Sequence, residues 1–192
     1  MIVYFVFKYL LRMHNPSNKV FIAKSLDGYI AGKNGEIDWL DMIPNPDHSD
    51  LGWNNFIKDI DAILMGRKTF DFVASYDGDW PYTKPLYVLS STLEAIPARL
   101  ESKASLVNGT ISDVLKMIHM NGHTRLYIDG GSTIQSFLKE DLIDELIITT
   151  LPILLGGGIP LFGDLEKRMV FEHVGSQLFL DQLVTNHFRR KR

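Results

Sequence analysis

The sequence predicts a three-layer α/β domain in which helices cover a mostly parallel, doubly wound sheet that ends in antiparallel C-terminal strands. Three observations predict it. From Val20 to Leu151 short apolar runs alternate with amphipathic stretches, the order expected of parallel strands joined by crossover helices. Twice an apolar run meets glycine and passes directly into a helical pattern, at Ala62-Ile63-Leu64-Met65-Gly66-Arg67-Lys68-Thr69-Phe70 and at Tyr127-Ile128-Asp129-Gly130-Gly131-Ser132-Thr133. Beyond Pro152, two strand-like runs follow one another with no helix between them, which marks an antiparallel addition.

Taken in order, Val20-Phe21-Ile22-Ala23 is the first core strand. The polar stretch 25–49 is a loop long enough to be functional. Residues 50–60 read as a helix whose inner face carries Trp53, Phe56, Ile57 and Ile60. The four apolar residues 62–65 form a buried strand, Gly66 lets the chain turn closely, and Thr69 opens a helix with Phe70, Val73 and Ala74 on one face. Residues 86–89 make a third strand, 111–120 a helix stopped at Asn121-Gly122, and 126–128 another strand. A helix over 132–140, a strand over 146–151, and terminal strands over 169–174 and 183–188 complete the pattern. Gly156-Gly157-Gly158 precedes a proline instead of a helix and reads as a flexible loop.

A chain of 192 residues, 45% hydrophobic and 22% charged, fits one domain with a full core, assigned to residues 19–192. Its net charge of −3 offers no general attraction for nucleic acid or anionic lipid. The basic run His187-Phe188-Arg189-Arg190-Lys191-Arg192 reads as a solvated, frayed terminus. The absence of cysteine rules out disulfides, thiolate catalysis and cysteine-ligated metals, and is compatible with a reducing cytoplasm. The apolar start at residues 1–12 falls short of the ~20 residues of a membrane span. It lacks the leading charge and small-residue cleavage point of a secretory signal. Residues 1–18 are therefore read as an extension, with Met13 the natural first residue.

The run through Gly66 places helix-start amides beside Arg67 and Lys68, an arrangement that favours phosphate. It is not an ATP-type phosphate loop, for it contains no Gly-Lys pair. The Asp129-Gly130-Gly131 corner repeats the arrangement, and adjacent glycines let backbone approach a ligand. Asp27-Gly28 lies just past the first strand, on the side where open parallel sheets bind ligands, though the pair is also a common turn. His119 and His123 lack an intervening Glu and straddle a helix-ending glycine, so no zinc site is expected. No Gly-x-Ser-x-Gly elbow occurs.

Together these pieces resemble the dihydrofolate reductase superfamily, which includes the reductase domain of the riboflavin-biosynthesis enzyme. Met65-Gly66-Arg67-Lys68-Thr69 is similar to the dihydrofolate reductase cofactor motif. Ser25-Leu26-Asp27-Gly28-Tyr29-Ile30-Ala31, Asp144-Glu145-Leu146 and the stretch 154–162 look more like the riboflavin branch. The resemblance implies NADPH. Gly66, Arg67, Lys68 and Thr69 would hold its phosphates, with Leu89, Ser90 and Ser91 beside the adenosine 2′-phosphate. Gly130, Gly131, Ser132 and Thr133 would cradle the pyrophosphate, and Ala23, Ile30 and Ala31 would flank the nicotinamide. Lys24 departs from the neutral residue usual there.

For the substrate, Asp50 stands about where the family places its acid, and it is equally a helix cap. Trp39 would wall the substrate pocket or simply pack. Asp27, Asp38 and Asp129 are the other acids expected near the carboxyl ends of the strands. The expected activity is hydride transfer from NADPH to a small pterin-like or pyrimidine-type substrate. Reduction of a ribosylamino-pyrimidine phosphate in riboflavin synthesis is the alternative within the enzyme class. From another class, the chain would be a non-catalytic NADPH-binding sensor or partner module. Apolar C-terminal strands make a homodimer plausible.

Overall fold

The computed structural model describes residues 16–76 and 78–192. The expected extension lies outside them, apart from its last three residues. Of these, Ser17 and Asn18 already belong to strand β1 (Ser17–Lys24). Asn18 is buried and its Nδ2 donates to the Leu142 carbonyl at 2.8 Å, so the domain reaches at least to Ser17.

After β1 come β2 (Tyr29–Ala31), a short 3-10 turn at Asp38–Met42, α1 (Trp53–Lys58), β3 (Ala62–Gly66) and α2 (Arg67–Ala74). Next are β4 (Leu86–Leu89), a 3-10 turn at Ala98–Leu100, β5 (Ala104–Val107), α3 (Ile111–Met120), β6 (Arg125–Asp129) and α4 (Gly131–Lys139). The chain ends with β7 (Glu145–Thr150), β8 (Ile159–Pro160), β9 (Val170–Phe179) and β10 (Leu183–Lys191). The main sheet runs β5-β4-β3-β6-β1-β7-β10-β9. Its pairs are parallel up to β7, and β10 is antiparallel to both its neighbours.

Alternation along the strands splits the core into two layers. On one face Leu64, Leu126, Ile128 and Leu146 pack against Ile118 of α3 and Ile134 and Phe137 of α4. On the other, Ile63, Met65 and Tyr127 meet Phe70 and Ala74 of α2 and the aromatic residues of α1. Opposite the ligand edge, an ion-pair set staples β1, β6 and the turn before β3. In it Lys19 reaches Asp59 at 2.6 Å, while Arg125 reaches Asp59 and Asp61, each at 2.7 Å.

Four expectations are corrected. The first helix starts at Trp53, not at residue 50, because His48, Leu51 and Gly52 adopt positive φ and break any helix before it. β5 went unseen because Ala104-Ser105-Leu106-Val107 is too short and mixed to carry a period. The triglycine is no loose loop: Gly158 crosses so close to the Ala31 carbonyl that no Cβ would fit, and β8 then pairs with β2. Nor is the basic tail frayed. β10 carries it as a strand, Arg190 holds Asp141 at 2.7 and 2.9 Å, and Arg192 holds Asp144 at 2.6 Å.

Candidate active site

The carboxyl ends of β4, β3, β6 and β1 are neighbours in the sheet, so the residues expected to bind a cofactor line one edge. Register pairs Gly66 with Leu89 and Met65 with Asp129. The two glycine corners interlock. A Cβ on Gly130, which sits at φ +87°, would strike Thr69 Oγ1, and one on Gly66 would lie 2.8 Å from Thr133 Oγ1. A Cβ on Gly131 would lie 2.8 Å from Ile30 Cδ1. The glycines thus let the starts of α2 and α4 converge, with Ile30 against them.

Neither of these two helices has a side-chain cap. The contrast is α3, where Thr110 Oγ1 accepts from the Asp113 amide at 3.2 Å. Uncapped helix starts leave amide donors available to an anion. Beside them, the Arg67 guanidinium is braced by Asp71 Oδ2 at 3.2 Å and by Thr92 Oγ1 at 3.1 Å. That brace swings it over the turn after β4, where Ser90 Oγ accepts from the Thr92 and Leu93 amides at 3.1 and 2.9 Å. Lys68, Ser91 and Ser132 are exposed along the same edge. Ala23, half-buried, packs on the cluster formed by Trp39, Leu151 and Leu183.

The three expected catalytic residues fall in different surroundings. Asp27 fastens a loop: its carboxylate accepts from Ser25 Oγ at 2.5 Å and from the Leu155 and Gly156 amides at 3.1 and 2.7 Å. These bonds, that of Ser25 foremost, hold its pKa below the usual value. Asp50 is exposed and accepts from the Asn54 and Gly52 amides at 2.9 and 3.1 Å, which likewise lowers its pKa. These bonds tie the loop to the first turn of α1 from two residues before its N-cap, Gly52. Trp39 is 3% exposed and its buried Nε1 has no partner among the described residues.

A third acid stands apart from these. Asp129 closes β6 on the face where Trp53 and Phe56 pack against Tyr127, with ring centroids 5.7 and 5.2 Å away. Burial pushes its pKa up, opposed by the Gly130 amide that donates to Oδ1 at 2.8 Å. The Tyr127 hydroxyl, which donates to the Phe21 carbonyl at 3.0 Å, lies close enough to Asp129 to work against that rise as well. Tyr82, 6.4 Å from Trp53, also has its pKa raised, by burial and then by the Asp129 charge. In sequence this acid carried one signal, a carboxylate at the ligand end of a buried strand.

Comparison with known proteins gives the family and the fold. Residues 19–185 match the RibD C-terminal domain family. The chain belongs to this family. YwjB of Bacillus subtilis (strain 168), an uncharacterized protein, is 32% identical over 173 residues, covering 89% of this chain and 96% of its own. A crystal structure from Shewanella sp. PV-4, of a protein provisionally assigned to riboflavin biosynthesis, superposes with a TM-score of 0.89. It is 51% identical, over 92% of this chain and 99% of that one. Dihydrofolate reductase from Enterococcus faecalis, complexed with NADP(H), shares the fold at a TM-score of 0.63 and 13% identity, over 92% of this chain and 97% of that one. The fold is that of the dihydrofolate reductase superfamily, and the family supports an oxidoreductase. No helix among the described residues is long and apolar enough to cross a membrane.

Proposed function

We propose that the chain is an NADPH-dependent reductase of a small heterocyclic substrate, pterin-like or pyrimidine-type. One observation carries the reading: two convergent helix starts without side-chain caps lie beside Arg67, and the strand that leads into the second of them ends in a carboxyl, Asp129, whose pKa burial raises. Gly66, Arg67, Lys68 and Thr69 would hold phosphate at one start, and Gly130, Gly131, Ser132 and Thr133 at the other. Leu89, Ser90 and Ser91 would face the 2′-phosphate, and Ala23, Ile30 and Ala31 the nicotinamide. The bound cofactor would supply the hydride. The chain's own part is to orient the acceptor against the ring cluster of Trp53 and Phe56, to exclude water there, and to hold a proton on Asp129 Oδ2.

A carboxyl that must be protonated to act gives activity at low pH that is lost as pH rises through its raised pKa. Asp129→Asn should therefore abolish that limb and lower turnover by about 10²-fold or more, with NADPH affinity unchanged. It should also raise the melting temperature at pH 7, because Asn removes a carboxylate that is costly to ionise when buried. A cofactor titration, a pH–rate profile and a melt on the same variant test this; unchanged turnover would refute it. Asp50→Asn is the companion variant, since Asn can accept the same amide bonds without the charge. Loss of turnover there would make Asp50 the substrate acid.

We also propose that two copies associate through the β9–β10 ribbon. Val170, Val174, Leu178 and Val184 are exposed along it at 58, 44, 57 and 40%. Glu172 and Arg189 pair with each other across the same ribbon at 3.8 Å, so their charges do not repel a second copy.

A further inference from the structure

At its carboxyl end β1 outruns the strand beside it. Lys19 pairs with Tyr127 of β6, so Phe21 stands level with Asp129, where β6 ends, and Ala23 and Lys24 reach past it to the level of the Gly130-Gly131 corner. Alternation sends these last two to opposite faces. Ala23 packs on the cluster of Trp39, Leu151 and Leu183, whereas Lys24 follows Ile22 to the face covered by α3 and α4. There β2 folds back over the end of β1: the Ser25 amide donates to the Tyr29 carbonyl at 2.9 Å, and Ile30, in the same layer as Ile22, abuts Gly131. On the other side the Lys24 carbonyl accepts from the Leu151 amide at 2.9 Å, and register pairs Lys24 with Thr150. The residue is thereby fixed at the inner end of the cofactor edge, beside Ile30 and the start of α4.

Its side chain is half-buried, and the protein sets no acid against it. None of the ion pairs among the described residues involves Lys24, and its Nζ donates only to the Ser25 carbonyl, at 3.4 Å. Asp27, the nearest acid in sequence, accepts instead from Ser25 Oγ and from the Leu155 and Gly156 amides. Asp129 shares the opposite face of the sheet with Tyr127. A partly buried ammonium without a counter-charge acts strongly on any charge that enters beside it, because little water screens it.

Resting on the reductase reading above, we propose that Lys24 selects the oxidation state of the bound nicotinamide, disfavouring the oxidised cofactor and leaving the reduced one untouched. The reduced ring is neutral. Once a hydride, one proton with two electrons, has passed to the acceptor, the ring is left with one positive charge, and the proton held by Asp129 completes the reduced acceptor. The two phosphate sites make no such distinction, since both forms of the cofactor carry the same phosphates. Lys24 is thus a specificity residue that favours loading with NADPH over NADP⁺ and hastens departure of the spent cofactor.

The test is calorimetric titration of the full chain, and of Lys24→Met, Lys24→Gln and Lys24→Arg, with three ligands: NADPH, NADP⁺ and 2′-phospho-ADP-ribose, which has the same phosphates and no nicotinamide. Removing the charge should tighten NADP⁺ by about tenfold or more, with NADPH and the ringless ligand within about threefold of the parent. Lys24→Arg keeps the charge and should keep the parent's ratio of NADPH to NADP⁺ affinity. Two neutral variants of different polarity, each checked by a melt, prevent the result from resting on the folding of one substitution. An equal loss for all three ligands would make Lys24 a phosphate ligand, and unchanged affinities would place its charge in the solvent; either overturns the proposal. A parent chain that binds none of the three would remove the reductase reading and this one with it. NADPH binding with an unaltered ratio in both neutral variants would remove this one alone.

Discussion

On the reductase reading, Arg67 is the residue on which cofactor choice would turn. Its guanidinium is fixed between Asp71 and Thr92, at the end of β4 where an adenosine 2′-phosphate would lie. A charge-assisted hydrogen bond to such a group contributes about 1.5–3 kcal/mol, so Arg67→Ala should weaken NADPH by about 10- to 150-fold. NADH, which lacks the phosphate, should change little, and parallel fluorescence titrations would show an equal loss if Arg67 only braced the turn. At the other end of the sheet Asp61 has a structural task. Arg125 and the Thr124 and Arg125 amides bind its carboxylate, and against the cost of burial they bring its pKa to about 2. A depressed folded-state pKa stabilises above the unfolded value and loses that contribution as pH falls. The shift corresponds to about 2 kcal/mol at pH 7 and roughly half of that at pH 3. Urea unfolding of Asp61→Asn at the two pH values should show a penalty that shrinks accordingly; a penalty independent of pH would mean that packing, not charge, is lost.

Elements with a strong period were legible and elements made by contact were not. α3 runs over residues 111–120 as its caps and apolar spacing indicate, and β4 over 86–89, because both signals are local. The two glycine corners were legible for the same reason, since a strand, a glycine and a helix start are contiguous in sequence. β2 and β8 were not, for each exists only by pairing with the other across more than a hundred residues. Asp129 was legible only as an acid near a strand end, because its meaning depends on Trp53 and Phe56 arriving from α1 to pack on Tyr127 of its own strand. The β2–β8 flap is therefore the element whose role needs testing. Asp27 fastens it by accepting from the Leu155 and Gly156 amides, and Gly131 of α4 touches Ile30 beneath it. Asp27→Ala should leave the melting temperature nearly unchanged but speed hydrogen exchange at Leu155 and Gly156 by tenfold or more. It should also hasten NADPH release. Exchange as slow as in the parent would show that the β2–β8 pairing alone holds the flap.

At the scale of the whole molecule the two ends of the sheet differ in how they finish. The β5 end is short, four residues. The β9 end is a ten-residue edge strand that pairs with β10 alone, and it is anchored from behind by Arg190, which holds Asp141 and lies 5.7 Å from the centre of the Phe171 ring. A long, well-anchored edge with apolar side chains facing water is a template for association unless something covers it. Glu172 and Arg189 satisfy each other across the ribbon at 3.8 Å, so this face presents its apolar side chains without an unbalanced charge from that pair, which suits a second copy of itself. The full chain should therefore sediment as a dimer, and Val174→Lys/Leu178→Lys should sediment as a monomer. Both substitutions lie on exposed positions, so the monomer should keep its fold and its NADPH affinity while its melting temperature loses any dependence on protein concentration. A parent chain that is monomeric at micromolar concentration would rule this interface out, and a variant that remains dimeric would move the contact to another face.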